Sequence, residues 1–261
     1  MTNSSKLIVE SVLIDIISSI EGSGCQFALI HQSLELEDMV AGDIDIVLDT
    51  YPDKVMLPII NKLIILGKVK LIQNLHYEIT HGHYYILQIK GAENCFLHLD
   101  CLYDERGVNR YHLKTSELLK GAIKTKKITH TSTVVESIYL LMKRTIKGKV
   151  DSERLAYLQR ILQENWNELK LIINEWYGQD SERKIQELLV ANSKEANLIL
   201  LELRLILEGR FRLRHSYRFG LSIIWNKYRQ VKRFFSPSGL FVVILGPDGC
   251  GKSTITDALP F

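Results

Sequence analysis

The sequence predicts an α+β fold: a small mixed β-sheet with its helices, then an α-helical bundle, then a truncated strand–helix pair with a P-loop at the C-terminus. Three observations predict this order. Five short segments between residues 26 and 102 have the alternation or the apolar runs of β-strands. From about residue 131 to 235 the apolar residues recur at the three- and four-residue spacing of a helix face. A glycine-rich motif then follows an apolar run at residues 246–254.

The first half alternates helices with strands. A helix is predicted over Leu7–Ile20 from its apolar spacing, and a glycine-rich turn ends it. A second helix is predicted with Asp53 as its N-cap and with Gly67 after its end. The five strands are predicted at residues 26–30, 42–49, 69–79, 84–90 and 96–102. A tight turn around Gly82 joins the third strand to the fourth.

The second half is helical after a polar and basic stretch, residues 104–127, whose helical signal is weak. Helices are predicted at about 134–146, 151–178 and 182–191, and the last one begins at Ser193. One stripe of that last helix is predicted to face the core; it consists of Leu198, Leu201, Leu205 and Ile206.

Composition sets limits on the class of protein. The 261 residues suffice for one large or two modest domains, and the apolar fraction of 46% is ordinary for a globular protein. The net charge of +3 indicates no partner by itself. The four cysteines have no metal-finger spacing, and no signal peptide precedes them, so we expect reduced thiols in a cytoplasmic protein. No apolar run approaches the roughly 20 residues that span a bilayer.

The strand at residues 42–49 carries two acids at alternate positions. Asp43 and Asp45 therefore project to one face, while the isoleucines between them project into a core. Aspartate has low β propensity, and two close carboxylates repel each other. A divalent cation such as Mg²⁺, which prefers oxygen ligands, is the simplest physical reason for the pattern. The alternative is a strand end with a solvated face.

The strand Phe96–Leu102 carries a third acid. Leu97 and Leu99 take one of its faces, and His98 and Asp100 take the other. If the two strands are neighbours, Asp100 completes a cluster of three carboxylates. His98 would then either touch the substrate or pair with an acid.

With these residues the chain resembles the nucleotidyltransferase superfamily, the polymerase-β-like fold, over about its first 105 residues. The resemblance implies that Asp43 and Asp45 hold Mg²⁺ on a nucleoside triphosphate, with ATP as the expected nucleotide. It implies that Asp100 helps to hold the catalytic metal and deprotonates the attacking hydroxyl. The reaction would transfer a nucleoside monophosphate to an acceptor that the sequence does not identify.

A basic aromatic segment, residues 209–235, contains no acid. Its cations are Arg210, Arg212, Arg214, Arg218, Lys227, Arg229, Lys232 and Arg233; five aromatic residues lie between them and two more follow. Such a segment suits an anionic membrane surface, which would make the protein peripheral to the membrane, or a nucleic acid. The third interpretation is a connecting helix whose aromatic residues pack on the next domain.

The most specific motif follows the apolar run Leu240–Leu245. It reads G-x-x-x-x-G-K-S, and it predicts a phosphate cradled by backbone N–H groups. The nucleotide-binding residues would be Gly246, Gly249, Gly251, Lys252, Ser253 and Thr254. The motif resembles thymidylate-kinase-like P-loop kinases, and the order of segments resembles bacterial two-domain proteins that join the two folds.

The end of the chain at Phe261 leaves no room for the covered parallel sheet and acidic strand that a P-loop kinase needs. We therefore expect a truncated kinase domain without kinase activity, whose strand could pair with a second copy of the chain. The predicted division is a nucleotidyltransferase-like domain at 1–105, a helical domain at 106–235, and a linker with the P-loop fragment at 236–261.

Two functions stay open, because the loop after the first strand departs from the family pattern. That loop usually has a Gly-Gly or Gly-Ser step to admit the triphosphate, but Phe27–Ser33 contains no glycine. The chain is then either a Mg²⁺-dependent nucleotidyltransferase or an inert nucleotide-binding or regulatory module of a larger thymidylate-kinase-like protein. A further alternative is that the three acids are unrelated surface residues.

Overall fold

The structure is a computed structural model that describes residues 3–30, 43–76, 82–92, 95–105, 113–125 and 128–235. These ranges form a mixed α/β fold with one seven-stranded sheet and nine helices. The strands are β1 (Phe27–Ile30), β2 (Asp43–Leu48), β3 (Val69–His76), β4 (Gly82–Ile89), β5 (Phe96–Leu102), β6 (Ile123–Lys124) and β7 (Thr129–His130). The helices are α1 (Asn3–Gly22), α2 (Pro52–Ile65), α3 (Thr115–Leu119), α4 (Thr133–Lys147), α5 (Ser152–Glu164), α6 (Trp166–Trp176), α7 (Ser181–Leu188), α8 (Ser193–Arg214) and α9 (Ser216–Phe235).

The sheet is mixed, as the sequence predicts, and its strand order is β3-β4-β5-β2-β1-β7-β6. The pairs β2–β5 and β1–β7 are parallel, and the other neighbouring pairs are antiparallel. Strands β6 and β7 lie in or just after residues 104–127, whose sequence predicts a helix only weakly. Each has two residues, which is too short for alternation to be recognised.

The two faces of the sheet pack against different helices. One core cluster joins Ile16 of α1 and Ile60 of α2 to Ile46 of β2. The other joins Val47 of β2 to the later helices, for example to Leu162 of α5. Since neighbouring residues of a strand point to opposite faces, the face of β2 that carries Asp45 looks toward the helical bundle.

Two predicted helix ends are wrong. The helix predicted over 151–178 is two helices that meet at Asn165, whose side-chain amide donates to the Ile161 carbonyl at 2.8 Å and accepts from Thr133 Oγ1 at 2.8 Å. Asp53 is not an N-cap but lies in the first turn of α2, which begins with a proline after Tyr51. The Asp53 carboxylate instead accepts a hydrogen bond from a tyrosine hydroxyl of β4.

The predicted core stripe of α8 is also wrong. Leu198 and Leu205 are 64% and 73% exposed, whereas the buried positions are Ala196, Leu200, Leu203, Leu207 and Phe211. Leucine and isoleucine occur on more than one side of this helix, so their spacing alone does not select the buried face. None of the helices in the described ranges has the length and apolar composition needed to cross a bilayer.

Gly148 ends α4 with a left-handed backbone, φ 63°, and its N–H donates to the Arg144 carbonyl at 2.9 Å. A Cβ at this position would lie 2.7 Å from Leu201 Cδ2. We expect Gly148→Ala to lower the free energy of unfolding by about 1–2 kcal/mol. The matched control is Gly209, which lies inside α8, where an added Cβ would meet no neighbouring group within 4 Å. Gly209→Ala should stabilise by about 0.5–1 kcal/mol in the same urea titrations, and equal effects of the two changes would contradict this description of the cap.

Candidate active site

The parallel pairing of β2 with β5 brings the predicted acids to one face of two adjacent strands. In the register Asp45 lies opposite Asp100, and Asp43 lies opposite His98. Directly paired residues of neighbouring strands share a face, so all four side chains belong to the face that looks toward the bundle. Tyr84 of β4 lies opposite Asp100 on the other side and joins the same face.

Asp45 is buried, with a relative exposure of 7%, and it is paired with a cation from the helical bundle. The Lys143 ammonium of α4 donates to Asp45 Oδ2 at 2.8 Å. The same ammonium lies 5.2 Å from the centre of the Tyr139 ring, one helical turn earlier. Lys143 could not be predicted as a site residue, because nothing in the local pattern of α4 distinguishes it from other helix lysines.

Asp43 is more exposed and belongs to a small polar network. The Tyr84 hydroxyl donates to Asp43 Oδ1 at 2.6 Å and lies 3.0 Å from His98 Nδ1. His98 Nδ1 is itself 3.3 Å from Asp43 Oδ1. His98 is expected either to touch the substrate or to pair with an acid, and the structure places it in contact with the acid Asp43. Tyr84 is a second site residue that the sequence pattern does not reveal, since an aromatic residue in a strand usually indicates packing.

The negative charge of this face affects the pKa of Tyr84. Burial raises that pKa above its ordinary value, and the hydrogen bond to Asp43 and the Asp43 charge raise it further. The charges of Asp100 and Asp45 contribute in the same direction. The three acids therefore share one electrostatic environment, which favours a cation.

The donors fit Mg²⁺ by chemistry, because carboxylate oxygens are the ligands that this ion prefers. Their present arrangement does not form a metal site: within the described ranges no three His, Cys, Asp or Glu side chains are placed to hold an ion together. The Asp45 carboxylate faces Lys143, and that of Asp43 faces Tyr84. The three-carboxylate metal set stays a prediction.

The other predicted site residues lie outside the described residues. This holds for Gly246, Gly249, Gly251, Lys252, Ser253 and Thr254, and for the last three residues, 31–33, of the glycine-free segment Phe27–Ser33.

Four buried or half-buried tyrosines predict a pH dependence of stability. Burial raises the pKa of Tyr84, Tyr85, Tyr157 and Tyr177, and for the first three a hydrogen bond to a carboxylate adds to it. A tyrosine whose pKa is raised on folding contributes stability that is complete below its ordinary pKa, about 10, and is lost as the pH rises through the folded value. Urea titrations should therefore show the free energy of unfolding falling between about pH 9 and about pH 11. Tyr85→Phe should reduce the slope of that fall, and a slope unchanged by this substitution would contradict the assignment.

Comparisons with known proteins identify no family. No protein-family model matches the chain, and no curated protein matches it. Among solved structures, a candidate nucleotidyltransferase from H. pylori is similar with a TM-score of 0.35 and 14% sequence identity, over 82% of this chain and 99% of that chain.

Proposed function

We propose that the chain is a Mg²⁺-dependent nucleotidyltransferase, which transfers a nucleoside monophosphate from a nucleoside triphosphate to an acceptor. The observation that carries the proposal is the parallel register of β2 and β5. It sets Asp45 beside Asp100, with Asp43 two residues away on the same face. Asp45 is buried and Asp100 is half-buried, and two carboxylates this close on adjacent strands are costly unless a cation neutralises them. The helical bundle supplies one such cation, Lys143, on this face.

Each residue has a role in the proposed reaction. Asp43 and Asp45 would hold the metal, and Asp100 would accept the proton of the attacking hydroxyl. Lys143, once released from Asp45, would bind an oxygen of the triphosphate as a point charge. Mg²⁺ held by Asp43 and Asp45 would supply positive charge to neutralise the phosphate oxygens and the leaving pyrophosphate.

A second candidate is a nucleotide-binding or regulatory module without catalysis. The observation that favours it is the Lys143–Asp45 ion pair, which satisfies the buried carboxylate without a metal ion. In this case the acids would balance an internal cation, and nucleotide would bind without turnover.

The test is pyrophosphate release. The full chain is incubated with Mg²⁺ and each of the four ribonucleoside triphosphates, and the protein is weighed by mass spectrometry. Asp43→Asn/Asp45→Asn is compared with Asp49→Asn, which removes an exposed carboxylate just beyond the end of β2. Pyrophosphate release that is lost in the double variant and kept in Asp49→Asn would support the transferase. A gain in protein mass equal to one nucleotide would show that the protein itself is an acceptor.

The second candidate predicts a different result. Calorimetry would detect Mg²⁺-nucleotide binding that the double variant loses, while no pyrophosphate forms with any nucleotide. Absence of both binding and release would contradict both candidates and leave the acids as structural residues.

A further inference from the structure

The last described helix, α9, exposes an apolar stripe. The stripe residues are each more than half exposed, and they are Tyr217, Ile224, Tyr228, Val231 and Phe235. Their spacing of seven, four, three and four residues places them on one side of a helix. Among the described elements α9 packs against α8. Phe219 of α9 packs against the second core cluster, whereas none of the five stripe residues belongs to that cluster.

The basic aromatic segment, residues 209–235, divides into two parts by its contacts. In the first part, Arg210 and Arg214 donate to backbone carbonyls at the C-terminal end of α6, at 3.3–3.4 Å and 2.7 Å. The Arg212 guanidinium lies 5.1 Å from the centre of the Phe219 ring. These arginines belong to the packing of the bundle. The second part is the amphipathic α9, which has five Lys or Arg residues and no Asp or Glu over 216–235. One of the five, Arg218, packs onto the bundle with its guanidinium 5.7 Å from the centre of the Phe211 ring, and the other four lie within 227–233.

The mixture of aliphatic, aromatic and basic residues on α9 favours a lipid surface over a nucleic acid. A nucleic acid is bound by cations and by flat rings that stack on bases, but aliphatic side chains such as Ile224 and Val231 gain little from phosphate or sugar. An anionic lipid surface accepts both features at once. Aliphatic side chains enter the boundary of the acyl chains, aromatic rings lie at the level of the headgroups, and cations meet the negative surface potential.

We propose that α9 binds the surface of anionic membranes, lying in the plane of the interface with the stripe of Tyr217, Ile224, Tyr228, Val231 and Phe235 toward the lipid. The site at β2 and β5 takes no part in this contact. The proposal is therefore independent of the proposed reaction.

The test is sedimentation of the full chain with vesicles of phosphatidylcholine, with and without phosphatidylserine. Binding should need phosphatidylserine and should weaken as salt is raised. Ile224→Ser/Val231→Ser should weaken it at least about tenfold, because two apolar side chains no longer leave water. The matched control is Leu198→Ser/Leu205→Ser, which removes two side chains of similar exposure, 64% and 73%, from α8. The control should bind like the unchanged chain, and circular dichroism should show that all variants are folded.

A second readout locates the contact. Trp225 lies on α9 beside Tyr228, with ring centres 5.6 Å apart. Brominated lipids should quench its fluorescence, and Trp225→Phe should remove most of that quenching.

The proposal is overturned if the chain binds neutral and anionic vesicles equally, or if the two double variants lose vesicle affinity equally. Binding of a labelled single-stranded RNA without vesicle binding would assign α9 to nucleic acid instead. A dimer that Ile224→Ser/Val231→Ser dissociates, again without vesicle binding, would assign the stripe to a second copy of the chain.

Discussion

Asp45→Asn is expected to lower the rate of pyrophosphate release from nucleoside triphosphates by at least about a thousandfold. The substitution keeps the size of the side chain but removes the buried charge that pairs with Lys143 and that, under the proposed function, holds the metal. An amide oxygen is a weaker ligand for Mg²⁺, and it leaves the charge of the transferring phosphoryl group poorly neutralised. The measurement is the initial rate of pyrophosphate formation at saturating Mg²⁺ and nucleotide.

The same substitution also perturbs stability, and a second variant separates the two effects. The Lys143 side chain is 16% exposed, and without Asp45 its charge loses its partner, at a cost of about 1–3 kcal/mol. Asp45→Asn/Lys143→Met should recover that stability but none of the activity. If the double variant regained pyrophosphate release, Asp45 would serve the fold and not the reaction. Equal stability of all three proteins would contradict the ion pair.

Leu203→Ala is expected to lower the free energy of unfolding by about 2–5 kcal/mol, because Leu203 is fully buried in the second core cluster and its truncation leaves a cavity. Leu205→Ala should cost less than about 1 kcal/mol, since the Leu205 side chain is 73% exposed. The two substitutions are chemically identical, they lie in one helix, and they differ only in the face of α8 that they change. Urea titrations of the two variants measure the difference directly.

The spacing of apolar residues in the sequence predicts the opposite, namely that Leu205 lies in the core stripe. A larger loss of stability for Leu205→Ala than for Leu203→Ala would therefore restore that prediction and contradict the buried position of Leu203. Comparable losses for both would indicate a helix that is buried on two sides.

Alternation predicted the faces of β2 and β5 because it depends only on the local period of a strand. It separates Asp43 and Asp45 from the isoleucines between them, whichever strand lies beside them. It does not give the neighbour or the register. The pairing of Asp45 with Asp100 depends on a parallel crossover between distant segments, and the contact with Lys143 joins residues 98 positions apart. Contacts of this kind are set by tertiary packing and leave no local pattern.

The helical half was predicted less well for two physical reasons. In α8, exposed positions such as Leu198 are as apolar as buried ones such as Leu200, so the hydrophobic pattern has no single direction. At Asn165 the break between α5 and α6 is stabilised by a hydrogen bond from Thr133, which belongs to another helix. The existence of the helices follows from periodicity, whereas their orientation and their ends follow from their neighbours.

The ion pair between Lys143 and Asp45 has a consequence for ligand binding. The Lys143 ammonium already pairs with the Asp45 carboxylate. A metal ion that uses Asp45 as a ligand must therefore displace the lysine, and this competition lowers its affinity. A triphosphate that accepts the displaced lysine lowers this cost. Under the proposed function, metal and nucleotide therefore bind cooperatively, each raising the affinity for the other, and a chelator removes activity without unfolding the sheet.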